Sequence, residues 1–112
     1  MSYPRRGQIY LVHFDPTVGH EIQKTRPGLV VQNDVSNQYS QITIVAAVTS
    51  RVSVVPYPVE VVVEPTKANG LTRASSICLN QIRSVDRQGL VKLLGEVDAG
   101  TMSEVNDALR VS

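Results

Sequence analysis

Arg26 is followed at once by Pro27 in the stretch HEIQKTRPGLVVQND, residues 20–34. A proline disfavours helical backbone in the residue before it, so Arg26 is held extended. A guanidinium on a fixed backbone loses less freedom when it grips an anion, and its planar fork matches two oxygens of a phosphate. Thr49 and Ser50 follow the longest apolar run, ITIVAAV at 42–48. Hydroxyls at such a strand end are rigidly placed yet reach solvent. Gln81 and Arg83 sit two apart in NQIRSVD, which puts both on one face of an extended segment. Lys24, Arg51 and Arg73 add positive charge in the loops. These are the parts of a phosphate clamp with a positioned hydroxyl. Each part also has a plainer reading. Arg26 pairs with Glu21 at the surface, Thr49 forms a turn, and the basic residues make an ordinary solvated face.

Other chemistries find less support. The chain has two histidines, His13 and His20, and one cysteine, Cys78. No cluster of them has zinc-ligand spacing. The carboxylates are scattered, and no glycine-rich phosphate loop or nucleophile elbow is present. No metal and no cofactor is expected. A formal net charge of +1 means that a polyanion must be met by a local patch and not by a global field. Cys78 cannot form an internal disulfide and lies in the apolar SSICL, as a small core residue would. The start MSYPRRG lacks the apolar stretch of a signal peptide, and no run is long enough to span a bilayer. A cytoplasmic protein is expected.

The elements that must place these residues are mostly strands. The 112 residues suit one domain, 1–112, with its own core. QIYLVHF (8–14) alternates, with Ile9 and Leu11 on one side and Tyr10, Val12 and Phe14 on the other. The polar stretch 15–27 reads as a long loop, and such loops are often functional. GLVVQ (28–32) is a second strand, and NDVSNQYSQ (33–41) a turn region. The run 42–48 should be buried on both faces. VEVVV (59–63) follows Pro56 and Pro58, which suits an edge. Asn69-Gly70 marks a tight turn. ASSICLNQIRSVD (74–86) holds one or two short strands, and DRQGL (86–90) a single turn. LVKLLGEV (90–97) reads as a strand, because Gly95 argues against a helix interior. The last segment is a helix, with Thr101 and Glu104 as a capping box and Met102, Val105, Ala108 and Leu109 as its apolar stripe. Several short strands closed by one helix predict a mainly β, α+β fold, a small sheet rolled into a partial barrel.

Three segments, in order and covering nearly the whole chain, resemble the MazF/PemK family of toxin endoribonucleases. GQIYLVHFDPTVGHEIQKTRPGLVVQND resembles the family opening, IVAAVTSR its core strand ending in Thr, and GLTRASSICLNQIRSVDRQGL its later Q-[IV]-[RK] segment. The resemblance implies an SH3-like partial barrel of about six or seven short strands with a C-terminal helix, usually a homodimer. It implies metal-independent cleavage of single-stranded RNA and an antitoxin protein as partner. Arg26 falls on the family's catalytic arginine, Thr49 on its catalytic threonine, Glu21 on the G-x-E carboxylate and Gln81 on a substrate-contacting glutamine. His20, Lys24, Ser50, Arg51, Asn80 and Arg83 join Gln81 as candidate RNA contacts. Asn80 stands where Asp or Glu is common, and His20-Glu21-Ile22 where Ser-Glu-Gln is common, so a target sequence does not transfer. The same fold also serves gyrase-binding toxins that cut nothing, and a non-catalytic RNA-binding regulator is a further alternative.

Overall fold

A computed structural model describes residues 3–14, 25–52 and 59–111. Its elements are strands β1 (Gln8–His13) and β2 (Thr25–Val30), helix α1 (Asp34–Tyr39), strands β3 (Ile42–Thr49), β4 (Glu60–Val63), β5 (Ser75–Asp86) and β6 (Leu90–Glu96), and helix α2 (Ala99–Val111). A 3₁₀ turn over Arg87–Gly89 joins β5 to β6. The strands form one sheet in the order β4-β5-β3-β2-β1-β6, and every pairing in it is antiparallel. The mainly β fold with a C-terminal helix is therefore the one expected.

The sheet curls until its two ends meet. β4 and β6 are the outermost strands, yet the turn after β4 packs against the end of β6, where the Glu96 backbone N–H donates to the Ala68 carbonyl at 2.9 Å. Glycines make this closure possible. A Cβ on Gly95 would lie 2.1 Å from the Ala68 carbonyl oxygen, and one on Gly70 would lie 2.0 Å from that of Leu94. Gly70 also has φ +71°, a conformation that L side chains rarely adopt. The turn itself is held by Asn69, which is buried. Its side-chain oxygen accepts from the Thr66 and Leu71 backbone N–H groups, and its amide donates to the Glu64 carbonyl. Gly95 is thus a residue of strand and seam, as its exclusion from a helix implied.

The alternation along β1 sorts its side chains into two cores. Ile9 joins a large cluster with Leu29, Ala46, Val48, Val61, Ile77 and Leu79, closed at one end by Val105 and Ala108 of α2. Val12 joins a smaller one with Val30, Val45 and Val85, flanked by Tyr10 and Phe14. β3 feeds both, through Ala46 and Val48 on one side and Val45 on the other. The expectation of burial on both faces holds at its centre, while Ile42 at its start is exposed.

Three local expectations change and one open reading is resolved. The segment 33–41 contains a six-residue helix, because the Asn33 side chain accepts from the Ser36 N–H at 2.9 Å and caps it. Asn37 of that helix is fully buried and accepts from Thr43 Oγ1 at 2.7 Å and Gln32 Nε2 at 2.9 Å, so its polar atoms are satisfied. The segment 75–86 is one twelve-residue strand. Helix α2 starts two residues before Thr101, and Asp98 caps it by accepting from the Thr101 N–H at 2.7 Å. Finally, β2 begins at Thr25 and not Gly28, so Arg26 lies within the strand. Among the described residues, no helix is long and apolar enough to cross a membrane.

Candidate active site

The register of β2 on β3 places Arg26 and Thr49 together. The ladder runs Val30↔Val45, Leu29↔Ala46, Gly28↔Ala47 and then stops. Two further steps would bring Arg26 level with Thr49. They are not taken, because Pro27 comes next, and a proline has no N–H to give to a ladder. Beyond Gly28, β2 continues on β1 alone, with Pro27 opposite Leu11 and Arg26 opposite Val12. The two strands part at the level where the arginine and the threonine stand.

A cleft of about 920 Å³ opens there, and Arg26, Pro27, Thr49, Ser50, Arg51 and Gln81 all line it. The Arg26 side chain is exposed and makes no hydrogen bond or ion pair with a described residue. Thr49 is half-buried, and its hydroxyl oxygen accepts from the Arg51 N–H at 3.2 Å. That contact fixes the oxygen and leaves its proton to donate. Arg73, which composition left as one more basic loop residue, lines the same cleft, as does the carboxylate of Glu60. Among the described residues, three guanidiniums and one carboxylate line the cleft, a positive balance in a chain that carries only +1.

Gln81 reaches the cleft through an irregularity of β5. Ile82 pairs with Ala46 and Cys78 with Ala47, so Leu79, Asn80 and Gln81 have no partner residues on β3. A bulge of this kind re-aims side chains, and bulges gather near active sites. Asn80 shares the bulge and is exposed, but it lies outside the cleft lining. Arg83 also lies outside it: its Nη1 donates to the Phe14 carbonyl at 3.2 Å, and its guanidinium covers the Phe14 ring at 5.7 Å. Of the pair two apart on β5, only the glutamine faces the cleft. His20, Glu21 and Lys24 fall outside the described residues. Cys78 is a free, buried thiol at the cleft floor. Burial pushes its pKa up, the Glu60 carboxylate adds to this, and a hydrogen bond to Ser76 opposes it.

The arrangement can hold a phosphodiester. A guanidinium with no partner among the described residues and a fixed hydroxyl line one open cleft from adjacent strands, with an amide on a third strand to contact what the phosphate carries.

Known proteins resemble the chain over nearly its whole length. The chain is 38% identical over 108 residues to the endoribonuclease EndoA of Bacillus subtilis, covering 96% of this chain and 92% of that one. It is 39% identical over 108 residues to the endoribonuclease MazF of Staphylococcus saprophyticus, covering 96% and 89%. A mycobacterial endoribonuclease solved in complex with its cognate antitoxin superposes with a TM-score of 0.78 at 26% identity, covering 96% of this chain and 92% of that one. Residues 5–112 match the family of PemK-like, MazF-like toxins of type II toxin-antitoxin systems, and it is to this family that the chain belongs.

Proposed function

We propose that this toxin is a single domain, 1–112, that cleaves single-stranded RNA with Arg26 and Thr49 at the scissile phosphate. The observation that carries the proposal is their shared position in one cleft, where the β2–β3 ladder parts. The names of the relatives, both endoribonucleases, support it.

In the proposed reaction the 2′-oxygen attacks the adjacent phosphorus as the bond from phosphorus to the 5′-oxygen breaks. The products are a 2′,3′-cyclic phosphate and a 5′-hydroxyl. Negative charge grows on the non-bridging oxygens, and Arg26 offsets it from a fixed backbone. The Thr49 hydroxyl donates to one of those oxygens. The 2′-hydroxyl must lose its proton, and the 5′-oxygen must gain one. Glu21 either takes the first proton or orients Arg26. A single strand suits this chemistry, because its 2′-hydroxyl can swing in line and its bases are open to Gln81. A homodimer, a cognate antitoxin that covers the cleft and a cytoplasmic site of action complete the proposal.

The test is incubation of the purified protein with a long transcript in EDTA, followed by end-group mapping. Discrete cuts bearing cyclic phosphate and 5′-hydroxyl ends are expected. Intact RNA together with inhibition of gyrase would overturn the nuclease reading in favour of a binding toxin.

A further inference from the structure

Arg73 is a cation that this reaction does not use. It sits in the short link between the Asn69-Gly70 turn and β5, and it lines the same cleft as Arg26 and Thr49. Its guanidinium is exposed and has no hydrogen bond or ion pair with a described residue. The link is not loose. On one side the Asn69 side chain holds the Leu71 N–H, and on the other the Ser75 hydroxyl donates to the Arg73 carbonyl at 3.0 Å.

A second arginine lines the cleft with Arg73. Thr49 pairs with Ser76 at the end of the β3–β5 ladder. The ladder ends there; continued two steps it would bring Arg51 level with Ala74, the neighbour of Arg73. Arg51 also lines the cleft, is exposed and has no side-chain partner among the described residues. Glu60 enters the cleft from β4, where its backbone pairs with Cys78, three residues along the β4–β5 ladder from the Val63–Ser75 pair, or about 10 Å. Two guanidiniums that line one cleft repel one another, and an anion between them removes the repulsion.

We infer that Arg73 and Arg51 form a second phosphate seat, which holds the phosphodiester next to the one cleaved. Arg26 enters from β2 and Arg73 from the start of β5, with β3 between them, and the two registers set them three residues apart along the sheet, so their backbones are about 14 Å apart, two strand spacings across and three residues along. That separation suits two successive phosphates better than one. The Arg26–Thr49 side takes the reacting phosphate, and the Arg51–Arg73 side fixes the direction in which the strand crosses the sheet. The inference rests on the proposed RNA cleavage and adds to it a substrate longer than the single scissile linkage.

The experiment uses an RNA oligonucleotide made uncleavable by a 2′-deoxy residue at the mapped cut. Neutral methylphosphonates replace its flanking phosphates one at a time. Wild type, R73A and R73K are compared for binding across a salt series. R73A should bind about five- to tenfold more weakly at low salt, and its log–log salt slope should be shallower by about 0.7, the value for one phosphate on a single strand. R73K, which keeps the charge, should retain the wild-type slope. One methylphosphonate position should weaken wild type but not R73A. An R73A slope equal to wild type, or equal sensitivity of both proteins to every methylphosphonate, overturns the second seat. If wild type cleaves no RNA at all, the cleavage reading beneath it has failed instead.

Discussion

Pro27 of β2 and Val48 of β3 stand at the first level where these neighbouring strands do not pair, one step beyond Gly28 and Ala47. Val48 is buried in the main core, so β3 stays where it is and β2 leaves it. Arg26 and Thr49, one step further out, are thereby separated by a space instead of a hydrogen bond. The proline does more than straighten the arginine's backbone: it ends a ladder that would otherwise fill the cleft.

Removing either side chain should stop the reaction without unfolding the protein. Arg26 is exposed and Thr49 half-buried, and neither belongs to a core cluster. R26A and T49A are each expected to lower RNA cleavage by about a hundredfold or more. Thermal melts should stay within about 0.5 kcal/mol of wild type. R26K should recover little, because an ammonium cannot grip two oxygens in a plane. Single-turnover cleavage rates and melts measured side by side check this. Wild-type rates in both alanine variants would remove the site assignment.

The barrel seam should be intolerant of even one methyl group. Gly95→Ala puts a carbon 2.1 Å from the Ala68 carbonyl oxygen and 2.6 Å from the Asn69 carbonyl carbon. Backbone must move to make room, and a loss of about 3 kcal/mol in urea unfolding is expected. Gly100→Ala is the control, since its nearest neighbour would be the Asp98 carboxylate at 3.6 Å. In the first turn of α2 it should range from neutral to about 1 kcal/mol more stable.

Helix α2 should carry a measurable acid dependence. The Thr101 backbone N–H, and then its hydroxyl, hold the Asp98 carboxyl below its usual range. A carboxylate with a depressed folded pKa stabilises the fold above its unfolded pKa, and that contribution is lost as pH falls through the folded value. D98A should melt at a lower temperature than wild type near neutral pH. The gap should close in acid once Asp98 is protonated. D98N keeps a capping oxygen but does not titrate, so it should lack the pH-dependent part. Melts of the three proteins across the carboxylate range decide the matter.

Cys78 should behave as a core residue despite its place at the cleft floor. Burial, with Glu60 nearby, raises its pKa, so little thiolate is present to react. Alkylation by iodoacetamide in mild alkali should be at least about tenfold slower in the native protein than in denaturant. Equal rates, followed by mass spectrometry, would show an accessible thiol.

Much of the fold was legible because its signals are local. Alternation along 8–14, the prolines ahead of 59–63 and the Asn69-Gly70 dipeptide each report a geometry set by adjacent residues. The failures share a different cause. Asn33 reads as a turn former until its side chain is seen to hold the Ser36 N–H, and α1, at six residues, has too few turns to display a period. Thr101 and Asp98 both have sequences suited to capping, and only the backbone shows that Asp98 holds the N–H. The three unpaired residues of β5 have no signature of their own, since a bulge is defined by the partner strand. The same holds for the cleft. Arg26, Thr49 and Gln81 lie far apart in the chain, and nothing in their types reveals that β2, β3 and β5 are neighbours. That knowledge came from resemblance, and it did not extend to Arg73, whose place in the cleft lining depends on the turn that leads into β5.

Gly70, Leu71 and Leu94 line the cleft, and Gly70 also touches Leu94 where the curled sheet closes on itself. Among the described residues, the working cavity and the barrel closure therefore share a wall. On heating, catalytic capacity and tertiary structure should vanish as one event, and a ligand lodged in that cavity should act as a strut for the entire barrel.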